Sequence, residues 1–167
     1  TSCNKTDKTD TSNNPFSNGG DERNMIVVIS DLHLGADTAF AECKENLAAL
    51  EKFLEQIRVA PNVKELVIAG DLLDEWFVPA PINTYQGKDQ YDFVQRIAAT
   101  NKGVFAAFNN IIKEGKILVT YVPGNHDLNI NSKYFTAKNI NVFNTPKVVA
   151  FNDSAFSFFF IPYVPGK

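Results

Sequence analysis

Three short apolar runs in this chain each lead into a polar string, and this arrangement constrains the fold more than any other feature of the sequence. The runs cover residues 25–29, 65–69 and 117–122, are rich in β-branched residues and are typical of buried strands. The stretches between them, residues 37–59 and 88–114, show the periodicity of amphipathic helices. The order strand–helix–strand–helix–strand predicts a parallel sheet and an α/β fold. In such sheets polar sites form beyond the carboxyl ends of the strands.

The sequence also indicates where these elements end. Residues 101–103 mark an interruption of the second helical stretch, and Gly115 is placed to end it, because glycine readily adopts the left-handed conformation that follows many helices. After residue 127 the pattern changes to short extended pieces. These are expected at residues 142–143, 148–151 and 156–161, with a hairpin turn at residues 152–154.

The polar strings are D-L-H at residues 31–33, G-D-L-L-D at residues 70–74 and G-N-H-D at residues 124–127. Taken singly, each is a common turn signal or a chance pairing of polar side chains. If the three strands pair in one sheet, however, the strings meet at one edge, and the chain's 2 histidines both lie in them. Carboxylate, imidazole and amide oxygen together favour Mn, Fe, Zn or Mg. We therefore predict a divalent-metal site, and a purely structural ion remains open at this point.

Composition narrows the class of protein. A chain of 167 residues with 44% hydrophobic residues suffices for one domain with a substantial core. The formal net charge is −3 and no run of Lys or Arg stands out, so the sequence carries no strong nucleic-acid signal. No apolar stretch approaches the roughly 20 residues that a transmembrane helix needs.

The amino-terminal segment, residues 1–23, is polar and is expected to be a disordered tail that precedes a domain over residues 24–167. Cys3, near the start of this tail, is similar to the mature end of a bacterial lipoprotein, whose cysteine carries a lipid anchor. That interpretation places the protein in the periplasm or on a membrane. An ordinary disordered terminus with an incidental cysteine is the alternative, and with it a cytoplasmic location.

The strings D-x-H, G-D-x-x-D and G-N-H-D, in this order, resemble the pattern of the calcineurin-like metallophosphoesterase family, and the resemblance covers residues 25–127. The resemblance implies a β-sandwich flanked by helices, of which this chain supplies the amino-terminal βαβαβ half and the start of a second sheet. It also implies a centre of two divalent ions (Mn, Fe, Zn, Ni or Mg). Asp31 and His33 would bind the first ion, Asp71 would bridge both, and Asn125 would bind the second.

The same resemblance implies a phosphate-ester hydrolase in which a hydroxide activated by both ions attacks phosphorus. His126 would protonate the leaving group, and Asp127 would orient its ring. Asp74 is expected to support a ligating imidazole, or else to be an ordinary turn residue. Trp76 and Phe77 would line a substrate pocket, unless they serve only in packing.

One part of the family pattern is absent. The family continues with a lone His and a G-H-x-H string, whereas this chain has no histidine after His126. We expect the chain to be the amino-terminal portion of the domain, with an incomplete site on its own and with the remaining ligands in a carboxy-terminal remainder or a separate chain. The alternative is a non-catalytic binding or scaffold relative. The substrate is a phosphate ester whose class the sequence leaves open.

Overall fold

The computed structural model describes residues 14–36, 43–74, 90–124, 127, 140–142, 147–150 and 157–160. The described elements are strands of two to seven residues and three α-helices. In chain order they are β1 (Met25–Ile29), β2 (Leu34–Gly35), α1 (Leu47–Val59), β3 (Val63–Ala69), β4 (Leu73–Asp74), α2 (Gln90–Thr100), α3 (Lys102–Glu114), β5 (Leu118–Val122), β6 (Ile140–Val142), β7 (Lys147–Ala150) and β8 (Ser157–Phe160).

The central sheet has the strand order β1-β3-β5-β6, and every neighbouring pair in it is parallel. The three predicted strands therefore lie side by side, and helices α1 to α3 connect them in the chain. This arrangement confirms the α/β class. It also brings the carboxyl ends of β1, β3 and β5 to one edge of the sheet, as the sequence predicts.

Helices α1 and α3 supply much of the core on one face of this sheet. The buried residues of α1 recur at helical spacing, namely Leu50, Leu54 and Ile57, and those of α3 are Val104, Phe108 and Ile111. They join one apolar cluster with side chains of β1, β3 and β5. Among the described residues, no helix has the length and apolar character needed to cross a bilayer.

The helix boundaries differ in one place from those predicted. Helix α1 begins at Leu47, after a 3₁₀ turn over Lys44–Asn46, so the prediction of a helix from residue 37 is wrong for residues 43–46. Asn46 has φ −107° and ψ 1°, outside the helical region, as is common for an asparagine that precedes a helix. The interruption near residues 101–103 is confirmed, and Gly115 ends α3 with φ 66°.

The later strands are short, as expected. Strand β6 extends the parallel sheet beside β5, while β7 and β8 form a separate antiparallel pair in which Lys147 faces Phe160 and Ala150 faces Ser157. This register is that of a hairpin. The turn predicted at residues 152–154 lies outside the described residues.

Residues 14–24 contact the folded domain, which the prediction of a disordered tail up to residue 23 did not anticipate. Asn62 is fully buried, and its amide donates hydrogen bonds to the carbonyls of Gly20 (2.7 Å) and Glu22 (3.0 Å). Its side-chain oxygen accepts the backbone N–H of Asn18 at 2.9 Å. The Phe16 ring also packs edge-to-face on the Phe53 ring of α1. The boundaries of the tail and of the domain stay predictions.

We expect Asn62→Asp to lower the free energy of unfolding by about 1–3 kcal/mol, because a carboxylate oxygen would then face two carbonyl oxygens without a proton to share. Urea denaturation measures the effect. Asn24→Asp is the matched control, since Asn24 is exposed and its side chain makes a hydrogen bond at the surface. Equal losses in both variants would contradict a role for Asn62 in holding residues 18–22.

Candidate metal centre

The first and second polar strings are joined through their backbones. Beyond β1 and β3, the N–H of Asp31 donates to the carbonyl of Gly70 (3.2 Å), and the N–H of His33 donates to the carbonyl of Asp71 (2.9 Å). The contact continues as the short parallel pair β2–β4, in which Leu34 faces Leu73. The two strings therefore follow the register of the strands that precede them.

This pairing brings three of the predicted ligands together. Asp31, His33 and Asp71 each offer a ligand atom, and these atoms lie within 4.8 Å of one another. Ligand atoms on opposite sides of an ion, each about 2.1 Å from it, are about 4.2 Å apart. The separation thus fits a divalent ion after a small side-chain adjustment, and the two carboxylates with one imidazole suit such an ion chemically.

The backbone at these three positions is strained. Asp31, His33 and Asp71 have φ values of 55°, 45° and 50°, in the left-handed region that side chains other than glycine rarely adopt. Each such residue costs of order 1 kcal/mol, and conformations of this kind persist where the surroundings hold them. The hydrogen bonds between the first two strings supply part of that restraint.

The third string approaches Asp71 through a glycine. A Cβ at Gly124 would lie 2.1 Å from the Asp71 carboxylate oxygen Oδ1 and 2.6 Å from its backbone nitrogen. A Cβ at Gly70, whose φ is 93°, would lie 3.4 Å from the Gly124 Cα. The backbone of the third string can therefore contact the second string only because residue 124 has no side chain.

Asp127 ties the third string to the second. It is 1% exposed, and its carboxylate accepts the backbone N–H groups of Leu73 at Oδ1 (2.6 Å) and of Leu72 (3.2 Å) and Gly124 (2.9 Å) at Oδ2. Burial raises the pKa of Asp127, and these N–H donors oppose that rise by favouring the ionised form. The carboxylate is thus a structural link between two strings of the site.

The other predicted site residues fall into two groups. Asp74 lies in β4 opposite Gly35 and is half-buried, and its expected contact with a ligating imidazole stays a prediction. The rest lie outside the described residues, namely Asn125, His126, Trp76, Phe77 and Cys3. The orienting role of Asp127 toward His126 also stays a prediction.

Sequence reasoning missed the β2–β4 pair and the backbone partners of Asp127. Two-residue strands are too short to show periodicity, so no local pattern predicts them. A carboxylate that accepts N–H groups from 54 and 55 positions away along the chain likewise leaves no local signal.

The model of the calcineurin-like phosphoesterase family matches residues 25–164. The chain belongs to this family. The match begins at the first residue of β1 and includes all three polar strings, so the family resemblance inferred from the strings is confirmed. The calcineurin-like assignment also accounts for the α/β sheet with its polar edge.

Two individual proteins are similar to this calcineurin-like chain. The DNA polymerase II small subunit of Methanothermobacter thermautotrophicus is 30% identical over an alignment of 112 residues that covers 61% of this chain and 20% of that protein. The crystal structure of the Pseudomonas putida nuclease MPE aligns with a TM-score of 0.41 and 21% identity, over 74% of this chain and 50% of the nuclease chain. The chain spans only about a fifth of the length of the polymerase subunit.

We expect Asp127→Asn to lower the free energy of unfolding by about 1–3 kcal/mol, because its NH₂ group would face at least one of the three N–H donors. Chemical denaturation measures this loss. Asp92→Asn is the control: Asp92 forms an exposed i,i+4 ion pair with Arg96, and such pairs contribute little. A loss no greater than that of the control would show that Asp127 does not link the strings.

We expect Gly124→Ala to weaken Mn²⁺ binding and to lower the melting temperature. The Cβ of the new alanine would contact the backbone and the carboxylate of Asp71 and so displace that residue. Overpacking of this kind costs about 1–3 kcal/mol. The matched control is Gly20→Ala, where the nearest atom to an added Cβ is 3.5 Å away. The close approach of the strings is refuted if both variants bind Mn²⁺ and melt alike.

Proposed function

We propose that this protein hydrolyses a phosphate ester at a centre of divalent metal ions. The observation that carries the proposal is the convergence of the Asp31, His33 and Asp71 ligand atoms within 4.8 Å, at the edge of the sheet where the family strings meet. Membership of the calcineurin-like phosphoesterase family supports the same activity.

In this proposal, Asp31 and His33 would hold one ion, Asn125 would hold the second, and Asp71 would hold both. Asp71 suits a shared position because its carboxylate has two oxygens and one negative charge. The bound ions would supply Lewis acidity, which lowers the pKa of water and offsets charge on the phosphoryl group. Further ligands would come from the rest of the protein or from a partner chain.

The chain's own residues would orient the substrate and move the proton. His126 is proposed to donate a proton to the leaving alkoxide, which removes the cost of expelling a strong base. Asp127 would keep the third string against Asp71, since its carboxylate accepts N–H groups from both strings. Asp74 is proposed to support the imidazole of His33, and Trp76 and Phe77 to line the substrate pocket.

A second candidate is a non-catalytic subunit that retains the fold and a metal site. The similarity to a polymerase small subunit over 112 residues favours this alternative, because the name of that protein describes a component of a larger assembly. The two candidates differ in one measurable respect, which is turnover of an ester in the presence of metal.

We expect the full-length protein to cleave an aryl phosphate monoester or an aryl diester when Mn, Zn, Ni or Mg is added, and to lose this activity with a chelator. Asp71→Asn should lower kcat/KM by at least about 100-fold through the loss of a charged ligand. His126→Ala should lower kcat by about 10²–10⁴-fold through the loss of the proton donor. Steady-state assays of each ester with each metal measure these effects.

Asp92→Asn is the control in these assays, since Asp92 lies on the exposed side of α2 and should leave both constants unchanged. A single-stranded DNA oligonucleotide added to the panel tests the nuclease class. The absence of turnover with every ester and metal would favour the non-catalytic subunit. Full activity of Asp71→Asn would instead contradict the proposed role of Asp71 as a metal ligand.

A further inference from the structure

A buried asparagine at the break between α2 and α3 contacts the backbone that follows His33. Asn101 is 3% exposed, and its amide nitrogen donates to the carbonyls of Gly35 (2.9 Å) and Ile97 (2.9 Å). The contact with Gly35 joins residues 66 positions apart in sequence. Asn101, at the break between the two helices, thus binds the backbone two residues after the candidate ligand His33.

The preceding residue makes a parallel contact. The Thr100 hydroxyl donates to the carbonyl of Ala36 at 2.9 Å. Thr100 is the last residue of α2 and Asn101 follows it. The two therefore hold the carbonyls of Ala36 and Gly35, which lie three and two positions after His33. We call these two residues, Thr100 and Asn101, the α2–α3 clamp.

The segment that carries His33 is also bound to the second polar string. The N–H of His33 donates to the carbonyl of Asp71, and the N–H of Leu34 donates to the carbonyl of Leu72 (3.0 Å). Residues 33–36, which include β2, are therefore held on two sides. The N–H groups of residues 33 and 34 bind the second polar string, and the carbonyls of residues 35 and 36 bind the α2–α3 clamp.

We propose that Asn101, assisted by Thr100, is a positioning residue for His33, an inference that rests on the proposed metal-binding role of that histidine. His33 has φ 45°, a conformation that persists only when surrounding contacts determine it. The bonds to Asp71 and Leu72 hold the N–H groups of residues 33 and 34, and the α2–α3 clamp holds the carbonyls of residues 35 and 36. Restraint from both sides fixes where the imidazole stands relative to Asp31 and Asp71.

A buried asparagine elsewhere in the fold provides a matched control. Asn62 is also fully buried, and its amide also donates to two backbone carbonyls. It precedes β3, whereas the candidate metal centre follows that strand, so about 20 Å of strand separates the two. Asn62→Asp and Asn101→Asp thus impose the same chemical change at opposite ends of the sheet.

The experiment measures Mn²⁺ affinity of the folded full-length protein by the loss of the free-ion electron paramagnetic resonance signal. We expect Asn101→Asp to raise the Kd for Mn²⁺ by about 10–100-fold, as is typical when a residue that orients a metal ligand is lost. Asn62→Asp should change the Kd by no more than about twofold, since distant sites act independently. Equal affinities of the two variants would overturn the positioning role.

A second pair of variants decides the question if Asn101→Asp does not fold. Thr100→Val removes one hydroxyl with little change of shape and should raise the Kd by about three- to tenfold. Thr100→Ser keeps the hydroxyl and should retain the wild-type Kd. Valine and serine variants of equal affinity would contradict the clamp.

The outcomes separate this inference from the proposed function. If the wild-type protein binds no Mn²⁺, both fail. If it binds Mn²⁺ and Asn101→Asp binds it equally well, only the positioning role fails. If Asn101→Asp and Thr100→Val bind Mn²⁺ more weakly but no phosphate ester is cleaved by the wild type, the proposed hydrolysis fails and the positioning role stands.

Discussion

The backbone of the second polar string, residues 70–74, is hydrogen-bonded on both of its edges, and the geometry of the candidate metal centre depends on this double attachment. Its carbonyls at residues 70, 71 and 72 accept the N–H groups of residues 31, 33 and 34, while its N–H groups at residues 72 and 73 donate to Asp127 of the third string. The second string thus lies between the first and the third, just as β3 lies between β1 and β5 in the sheet. A shift of the second string would move Asp71 relative to both neighbours.

The restraint has an energetic counterpart in the strained backbone at Asp31, His33 and Asp71. A left-handed conformation is unfavourable for these residues in an isolated peptide, and the hydrogen bonds between the strings contribute to offsetting its cost. The positions in question are those that offer ligand atoms within 4.8 Å of one another. Among the described residues, these three are the positions other than glycine with positive φ, and strained residues of this kind are typical of functional sites.

Family membership and substrate class rest on different parts of the molecule. The calcineurin-like phosphoesterase match covers residues 25–164, which include the three strings and the parallel sheet, whereas any substrate would be selected by loops around the strings. The alignment with the polymerase subunit covers 61% of this chain but only 20% of that protein, so the name of that protein describes a much longer molecule.

The sequence by itself determined the order of the main elements, the edge at which the polar strings meet and the family. Hydrophobic periodicity indicates which face of a local segment is buried, so the elements can be predicted from the sequence. Each polar string is a short run of adjacent residues, so the strings can be recognised there as well. The tertiary structure alone decided the β2–β4 pair, the backbone partners of Asp127 and the buried contacts of Asn62 and Asn101. The long-range hydrogen bonds among these contacts join groups 38 to 66 positions apart, and a donor in one segment carries no local trace of the acceptor that it will meet. The α1 start at Leu47 belongs with them, because propensity and periodicity leave helix ends loosely specified.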